Sequence, residues 1–298
     1  MNYSEIIEKY NKELSLYSNE ILPYFNKYVS KNQKHYKKII DALFNFYMLN
    51  AYLLDKGILI PTPLNDPIMF IFAKSSLTLL GMHSCLKNGL IIDGATLLRS
   101  LFEPYIDLKL ILEADTEDRL ILYSNYRHIS NWLTLDNQRN HLREGKMTQE
   151  NFNKVFSAER IKKFEDEYDK VKDNYHPKHP YSWAWKIFKK KDNSRNPSFK
   201  TICKKLGKEK EYEDLYATMS IVAHSSPVTD NFMKINNKKT LLPIYSESLL
   251  SIGCYGLHIV QRITSNVLDF MEPDNANDVK IFSLHMVNST LKEFGFIV

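Results

Sequence analysis

Glycine and cysteine are scarce in this chain of 298 residues, which holds nine glycines and three cysteines. No Asn-Gly or Asp-Gly pair stands between alternating apolar residues, so β-hairpins are not expected. The cysteines, Cys85, Cys203 and Cys254, are odd in number and far apart, which argues against a disulfide framework. Cys85 and Cys254 lie in apolar segments and suit buried thiols in a reducing compartment.

The signatures of several enzyme and cofactor classes are missing. The chain has no GxGxxG or GxxxxGK[ST] loop, no GxSxG elbow and no pair of CxxC motifs. His176 and His179 are three residues apart, but the prolines around them forbid the helix that usually presents two such metal ligands. We therefore expect neither a metal ion nor a cofactor.

Long apolar runs are also lacking. Lys74, Lys87 and Asp93 interrupt the most apolar stretches before they reach the roughly 20 residues of a membrane span. The first residues do not place an apolar stretch behind a basic one, so no secretory signal is expected. These absences predict a cytoplasmic protein without a membrane contact.

Apolar residues recur at helical spacing along almost the whole chain. This predicts an all-α protein, a multi-helix bundle with an N-terminal helical hairpin and an inserted charged helix. Two amphipathic helices, 3–30 and 34–57, are expected to form the hairpin as a domain of residues 1–60. The bundle core is predicted to span 61–298, with three nearly all-apolar helices at its centre.

An insertion at 143–200 is expected to interrupt this core with a charged helix at 148–173 and an exposed linker. The apolar members of that helix follow a 3-4-3 spacing, at Ile161, Phe164, Tyr168 and Val171. So narrow a seam suits one packing partner. That partner is either the body of the protein or a second copy in a homodimer.

Arg99 and Glu103 are isolated charges in the apolar segment 97–103. Four residues apart on a helix, they project from one face. Buried charges are costly unless they are paired or functional. The pair is therefore either an internal ion pair that ties helices together or a site. In a site, Arg99 binds a phosphate or carboxylate, and Glu103 orients it or acts as a base.

A second polar cluster follows one helix later, at Tyr123, Tyr126, Arg127 and His128. Tyr123 and Arg127 share a helical face, whereas His128 points elsewhere. Single groups of this kind are usually satisfied core side chains, but ionisable groups so close together are enriched at functional sites. We take the cluster as a candidate for substrate contact.

His224 stands at the end of a predicted helix, because Pro227 cannot continue it. The helix dipole favours the charged form of an imidazole at this end. Such a group suits proton donation to a leaving oxygen. It suits equally a cap of the last carbonyls.

Basic residues concentrate at 186–210, where ten lysines and arginines against two acidic residues give a net charge of +8. Such a stretch either binds RNA or another polyanion or is a solvated surface. Trp183 and Trp185 beside it suit base stacking or the anchoring of a helix. The candidate contacts are Lys189, Lys190, Lys204 and Lys205.

Three segments carry a resemblance: Leu-Arg-Ser-Leu-Phe-Glu at 98–103, Tyr-Ser-Asn-Tyr-Arg at 123–127, and Leu-Tyr-Ala-Thr-Met-Ser-Ile-Val-Ala-His-Ser-Ser-Pro at 215–227. Together they resemble a bacterial all-helical family of unknown function, over about residues 65–230. Its members carry Arg-Ser-x-x-Glu in one helix and Tyr-x-x-x-Ser-x-x-x-His before a turn. That family is in turn similar to the HEPN superfamily, helical bundles of toxin–antitoxin and abortive-infection systems.

Many HEPN members are metal-independent RNases that use an arginine and a histidine four to six residues apart. No arginine of this chain is followed by a histidine at that separation. The resemblance therefore implies RNase activity only if Arg99 and His224 rebuild the pair from separate helices.

Two functional hypotheses follow. In the first, the protein is a bacterial defence effector that cleaves RNA: Arg99 binds the phosphate and His224 is the general acid and base. Glu103 and Arg127 then orient these groups. In the second, the protein is a non-catalytic interaction or ligand-sensing module of a defence or toxin system, and Arg99–Glu103 is structural. The expected partners are RNA or another polyanion, and a protein from the same operon. The expected substrate contacts are Tyr123, Tyr126 and His128.

Overall fold

The computed structural model describes residues 3–176, 182–189, 197–217, 233–235, 238–240 and 248–295. The protein is an all-α helical bundle, which confirms the predicted fold class. The helices are α1 (Tyr3–His35), α2 (Lys37–Asp55), α3 (Asp66–Lys87), α4 (Ile91–Leu112), α5 (Thr116–Arg143), α6 (Gln149–Val155), α7 (Ala158–Val171), α8 (Trp185–Lys189), α9 (Phe199–Lys205), α10 (Glu209–Glu211), α11 (Ser248–Met271) and α12 (Ala276–Glu293). A π-helical turn, Tyr212–Ala217, follows α10. Two short strands not predicted from the sequence, β1 (Met233–Ile235) and β2 (Lys238–Thr240), pair antiparallel.

The chain divides into two compact units that differ from the expected domains 1–60 and 61–298. Unit 1 comprises Met1–Ile60, Ile71–Tyr105 and Glu213–Val298, and unit 2 comprises Pro61–Phe70 and Ile106–Tyr212. The first helices group with the last ones because α2 packs against both α11 and α12. Burial of one apolar face of α2 by C-terminal helices is a long-range contact that local periodicity does not report.

Both helices of the predicted N-terminal hairpin are present, and only Tyr36 separates α1 from α2. Backbone hydrogen bonds continue through the junction, from the Tyr36 N–H to the Asn32 carbonyl and from the Ile40 N–H to the Tyr36 carbonyl. Most of α1 is exposed, and its fully buried side chain, Asn32, lies in the last turn. The two helices therefore meet at a bend rather than at a loop.

Helix α11 lies very close to α2 at Gly253. A Cβ atom built on this glycine would stand 2.6 Å from Ile39 Cγ1, well inside van der Waals contact. A glycine inside a helix costs about 1 kcal/mol relative to alanine. Here it lets Ile39, a fully buried side chain of α2, pack directly against the backbone of α11.

A polar network sits inside this apolar core. The fully buried Asn50 of α2 donates from Nδ2 to Ser76 Oγ of α3 (2.9 Å) and accepts at Oδ1 from Thr264 Oγ1 of α11 (3.0 Å). Ser76 in turn donates to the Phe72 carbonyl (2.9 Å). Because buried polar groups are costly unless they are satisfied, this network fixes the alignment of three helices of unit 1.

In unit 2, the predicted continuous helix at 148–173 is wrong, because α6 and α7 are separate. Phe156 has extended backbone angles, and the Ser157 hydroxyl accepts a hydrogen bond from the Arg160 N–H (3.2 Å), so Ser157 caps a new helix. The apolar seam packs on the same unit: Phe164 joins Leu135 and Phe152 in one cluster. The body of the protein is thus a partner of this seam.

Helix α3 is the one helix of the described segments that is long and apolar enough to cross a membrane. Its side chains Phe72, Leu79 and Met82 are fully buried in the fold. A buried core helix of a globular protein can be equally long and apolar, so length and composition alone are weak evidence for a membrane span.

The Asn50 network gives the first prediction. Asn50→Ala should lower the free energy of unfolding by about 1–3 kcal/mol, because Ser76 and Thr264 each lose a buried partner. Urea unfolding followed by circular dichroism measures the change. Asn45→Ala, at an exposed position of the same helix, serves as the control. Equal effects of the two substitutions would show that the network does not stabilise the core.

Candidate functional site

Arg99 and Glu103 lie on one face of α4, as predicted. Arg99 Nε is 3.6 Å from Glu103 Oε1, and the side chains are 22% and 35% exposed. The helix continues through Pro104, which leaves the Ser100 carbonyl without its intrahelical donor. The partial exposure of both side chains places this ion pair at the edge of the core.

Tyr216 joins this pair from far along the chain. Arg99 Nη2 donates to the Tyr216 hydroxyl (2.8 Å), and that hydroxyl donates to Glu103 Oε1 (2.9 Å). The guanidinium carbon also stands 4.6 Å from the centre of the Tyr216 ring, a cation–π geometry. We refer to Arg99, Glu103 and Tyr216 as the Arg99–Tyr216–Glu103 cluster. All three residues belong to unit 1.

The π-helical turn Tyr212–Ala217 presents the Tyr216 side chain. π-Helical turns are rare and are frequent at functional sites. The ring is 9% exposed and packs at a tilt against Phe102 of α4, with centroids 6.4 Å apart. Its burial fixes the hydroxyl between two charged groups.

Sequence reasoning missed Tyr216 as a site residue, although one pattern contained it. Tyr216 is the first residue of the segment Tyr-x-x-x-Ser-x-x-x-His that ends at His224. The cluster thus connects this segment to Arg-Ser-x-x-Glu at 99–103. His224 and Ser220 lie outside the described residues.

The cluster can act on a ligand in two ways. The Arg99 guanidinium, which pairs with the Glu103 carboxylate, can bind the phosphate or carboxylate group of a ligand in a similar geometry. The Tyr216 hydroxyl accepts a hydrogen bond from Arg99 and donates one to Glu103. A change in the charge of Glu103 would therefore change the strength of the hydrogen bond from Arg99. The same contacts also suffice to fasten the π-helical turn to α4.

A second arginine–tyrosine pair in unit 1 provides a comparison. Arg262 Nη1 lies 3.4 Å from the Tyr105 hydroxyl, and its guanidinium carbon lies 6.0 Å from the ring centre. Both distances are longer than in the Arg99–Tyr216–Glu103 cluster. Arg262 and Tyr105 are therefore a matched control for substitutions in that cluster.

The predicted contact residues on α5 fall into different surroundings in unit 2. The Tyr123 ring meets Trp183 edge-on (5.0 Å), and burial, with a contribution from Asp107, raises the pKa of its hydroxyl. The ring centroids of Tyr126 and Tyr175 are 6.0 Å apart, and burial also raises the pKa of the Tyr126 hydroxyl. Trp183 is buried, so it anchors the segment before α8 to the core.

His128 faces another helix. Its Nδ1 lies 2.9 Å from Glu167 Oε2 of α7. One turn further, Trp132 stacks on Tyr168, with centroids 4.2 Å apart and planes at 12°. His128 thus contributes to the packing of α5 on α7.

Arg127 is exposed at a pocket of about 330 Å³ in unit 2. Phe70, Tyr123, Ser124 and Asp66 also line this pocket. Among the residues that the structure describes, Arg127 forms no hydrogen bond or ion pair. The exposed Arg127 guanidinium beside the aromatic rings of Phe70 and Tyr123 suits an anionic ligand, and Asp66 is the one acidic side chain among these lining residues. Arg127 and the Arg99–Tyr216–Glu103 cluster belong to different units.

The basic stretch is partly neutralised. Lys205 forms an ion pair with Glu113, which also accepts a hydrogen bond from Arg119 (3.1 Å). Burial alone would raise the pKa of Glu113, but the bonds from Lys205 and Arg119 lower it on balance. Lys204 is exposed. The side chains of Lys189 and Lys190 lie outside the described residues.

Within the described ranges, no three His, Cys, Asp or Glu side chains form a group that could hold a metal ion. His179 lies outside these ranges. Burial raises the pKa of the Cys203 and Cys254 thiols to about 12, so both behave as apolar core groups at neutral pH.

The fold and the site define a helical protein in which the Arg99–Tyr216–Glu103 cluster joins two distant sequence segments. A family model described as Family of unknown function (DUF5677) matches residues 65–240. The match covers more than half of the chain, so the protein belongs to this family. It confirms the predicted relation to a family of unknown function and includes both segments of the cluster. No curated protein and no solved structure matches the chain.

The geometry of the cluster gives the second prediction. Tyr216→Phe should lower the free energy of unfolding by about 1–2 kcal/mol, because it removes two hydrogen bonds to charged, partly buried groups. Tyr105→Phe should cost less, because it removes one long hydrogen bond. Urea unfolding of both variants measures the difference. A cost at Tyr105 equal to or above that at Tyr216 would contradict the bridging role of Tyr216.

Proposed function

We propose that this protein is a cytoplasmic, bacterial HEPN-like defence effector that cleaves RNA without a metal ion. The observation that carries the proposal is the pair of hydrogen bonds through Tyr216. They join Arg-Ser-x-x-Glu to Tyr-x-x-x-Ser-x-x-x-His, the two segments on which the resemblance rests. A site assembled from two distant motifs is expected where an arginine and a histidine must act together.

Each side chain of the proposed centre has a chemical role. Arg99 binds the non-bridging phosphate oxygens and stabilises the charge that develops on them. His224 takes the proton of the ribose 2′-hydroxyl as general base, and the 2′-oxygen attacks phosphorus. The bond from phosphorus to the 5′-oxygen breaks, and His224 returns the proton to that oxygen as general acid. The products are a 2′,3′-cyclic phosphate and a 5′-hydroxyl. Glu103 and Tyr216 position Arg99.

Other residues are proposed to guide the RNA strand. Arg127 is exposed beside the aromatic ring of Phe70. This combination suits a phosphate and a stacked base. Lys204 adds positive charge at the surface. Because phosphate contacts dominate nucleic-acid affinity, such residues would act on any RNA sequence.

A second candidate function is a non-catalytic interaction or ligand-sensing module that works with a protein from the same operon. One observation favours it: the Arg99 charge is already balanced by Glu103 and stacked on Tyr216. An ion pair of this kind can hold helices together without chemistry. The two candidates differ in whether RNA is cut.

RNA cleavage in EDTA separates them and gives the third prediction. The wild-type chain should cleave total RNA and leave cyclic phosphate ends. His224→Ala should lose about 10²–10⁴ of the rate, the usual contribution of a general acid. Arg99→Gln should lose on the order of 10² or more. Arg262→Gln should keep the wild-type rate, since its Tyr105 pair lies outside the cluster.

Circular dichroism must show that each variant is folded before its rate is compared. A wild-type protein that leaves RNA intact, or a loss at Arg262 as large as that at Arg99, would contradict the nuclease and favour the interaction module. Cleavage that stops only when Mg²⁺ is removed would contradict the metal-independent mechanism.

RNA affinity gives the fourth prediction. Arg127→Ala should weaken single-stranded RNA binding and reduce the slope of log affinity against log salt by about 0.7, the value for one lost phosphate contact. The control is Arg143→Ala, an exposed arginine in the last turn of the same helix. Fluorescence anisotropy at several salt concentrations measures both. Parallel salt slopes for Arg127→Ala and wild type would exclude a phosphate contact at Arg127.

A further inference from the structure

Helix α1 is long, apolar on one side and exposed. It runs for 33 residues from Tyr3 to His35, and its buried position Asn32 lies in the last turn. Large side chains such as Ile7, Tyr10 and Leu14 are more than a third exposed. The remaining described helices therefore leave the apolar face of α1 uncovered.

The apolar face follows a strict heptad. Steps of four and three residues alternate through the positions Tyr3, Ile7, Tyr10, Leu14, Tyr17, Ile21, Tyr24 and Tyr28. Pro23, which lies inside the helix at the outer position c, removes one backbone hydrogen bond near the end of this repeat. The mean period is 3.5 residues, shorter than the 3.6 of a straight helix. A repeat of 3.5 keeps one seam facing a partner helix in a left-handed supercoil. The pattern thus specifies another helix as the partner.

Ile7, Leu14, Ile21 and Tyr28 take heptad position a, and Tyr3, Tyr10, Tyr17 and Tyr24 take position d. Isoleucine at position a favours two-stranded parallel pairing when leucine is at position d, and here tyrosines take the place of leucine. The flanking charges agree. Glu13 at position g would meet Ser18 of a parallel second copy, at position e, without repulsion. In an antiparallel pair that overlaps the whole repeat, Glu13 would instead face Glu20 of the second copy.

The available area suits such a dimer. The a and d side chains expose on the order of 500 Å² per chain, since aromatic side chains each carry about 150–250 Å². Two copies then reach the roughly 1,000 Å² that a specific interface needs. Most of the stability of a helix in a protein comes from the packing of its apolar face, so pairing would also stabilise α1.

We propose that α1 forms a parallel, two-stranded coiled coil with a second copy of this chain. The proposal is independent of the Arg99–Tyr216–Glu103 cluster and of any activity on RNA. It assigns the heptad face of α1 as a dimer interface outside the segment 65–240 that the family model covers.

Sedimentation equilibrium of the full chain tests the proposal. The wild type should be a dimer at micromolar concentration. Leu14→Glu, on the heptad face, should shift it to a monomer. Leu16→Glu is a matched control, because Leu16 is 63% exposed and Leu14 is 62% exposed, but Leu16 lies on another face of the helix. A wild-type monomer, or equal effects of the two substitutions, would overturn the proposal.

Cross-linking tests the parallel orientation. Tyr10→Cys should give a disulfide-linked dimer on oxidation, because parallel pairing places position 10 beside itself. Lys12→Cys, on the outer face, should not cross-link, and the wild type controls for the native thiols. A dimer in which Tyr10→Cys fails to cross-link would overturn the parallel arrangement.

Discussion

The hydroxyl of Tyr216 is the contact on which the candidate site depends. It accepts from Arg99, donates to Glu103 and belongs to a π-helical turn more than a hundred residues away in sequence. Without it, Arg99 and Glu103 would be an ordinary helical ion pair, of the kind that contributes little when partly exposed. With it, the two charged groups and the π-helical turn that precedes His224 in the sequence share one network.

Local periodicity was sufficient to predict the all-α class and helices such as α3, because the apolar spacing there is unbroken. It failed at 148–173, where Ser157 caps a new helix although the apolar spacing continues. It also failed for the grouping of helices, since the packing of α2 on α11 and α12 depends on long-range contacts such as the one at Gly253.

The candidate site was predictable only in part. The four-residue spacing of Arg99 and Glu103 placed them on one face, as the structure does. Tyr216 was missed because a buried tyrosine gives no local pattern, and only its place in a motif marked it. His128 is next to Arg127 in sequence, yet it packs toward α7 while Arg127 is exposed at a pocket. Adjacency in sequence does not give adjacency in a site, because neighbours on a helix point about 100° apart.

The central claim is that Arg99, Tyr216 and Glu103 act as one unit. A double-mutant cycle on the free energy of unfolding, with Arg99→Gln, Tyr216→Phe and the combined variant, tests it most directly. Residues in one hydrogen-bonded network show coupling energies of about 0.5–3 kcal/mol, and the account predicts a value in this range. Effects that add to within about 0.3 kcal/mol would show that the two side chains are independent and would contradict the account.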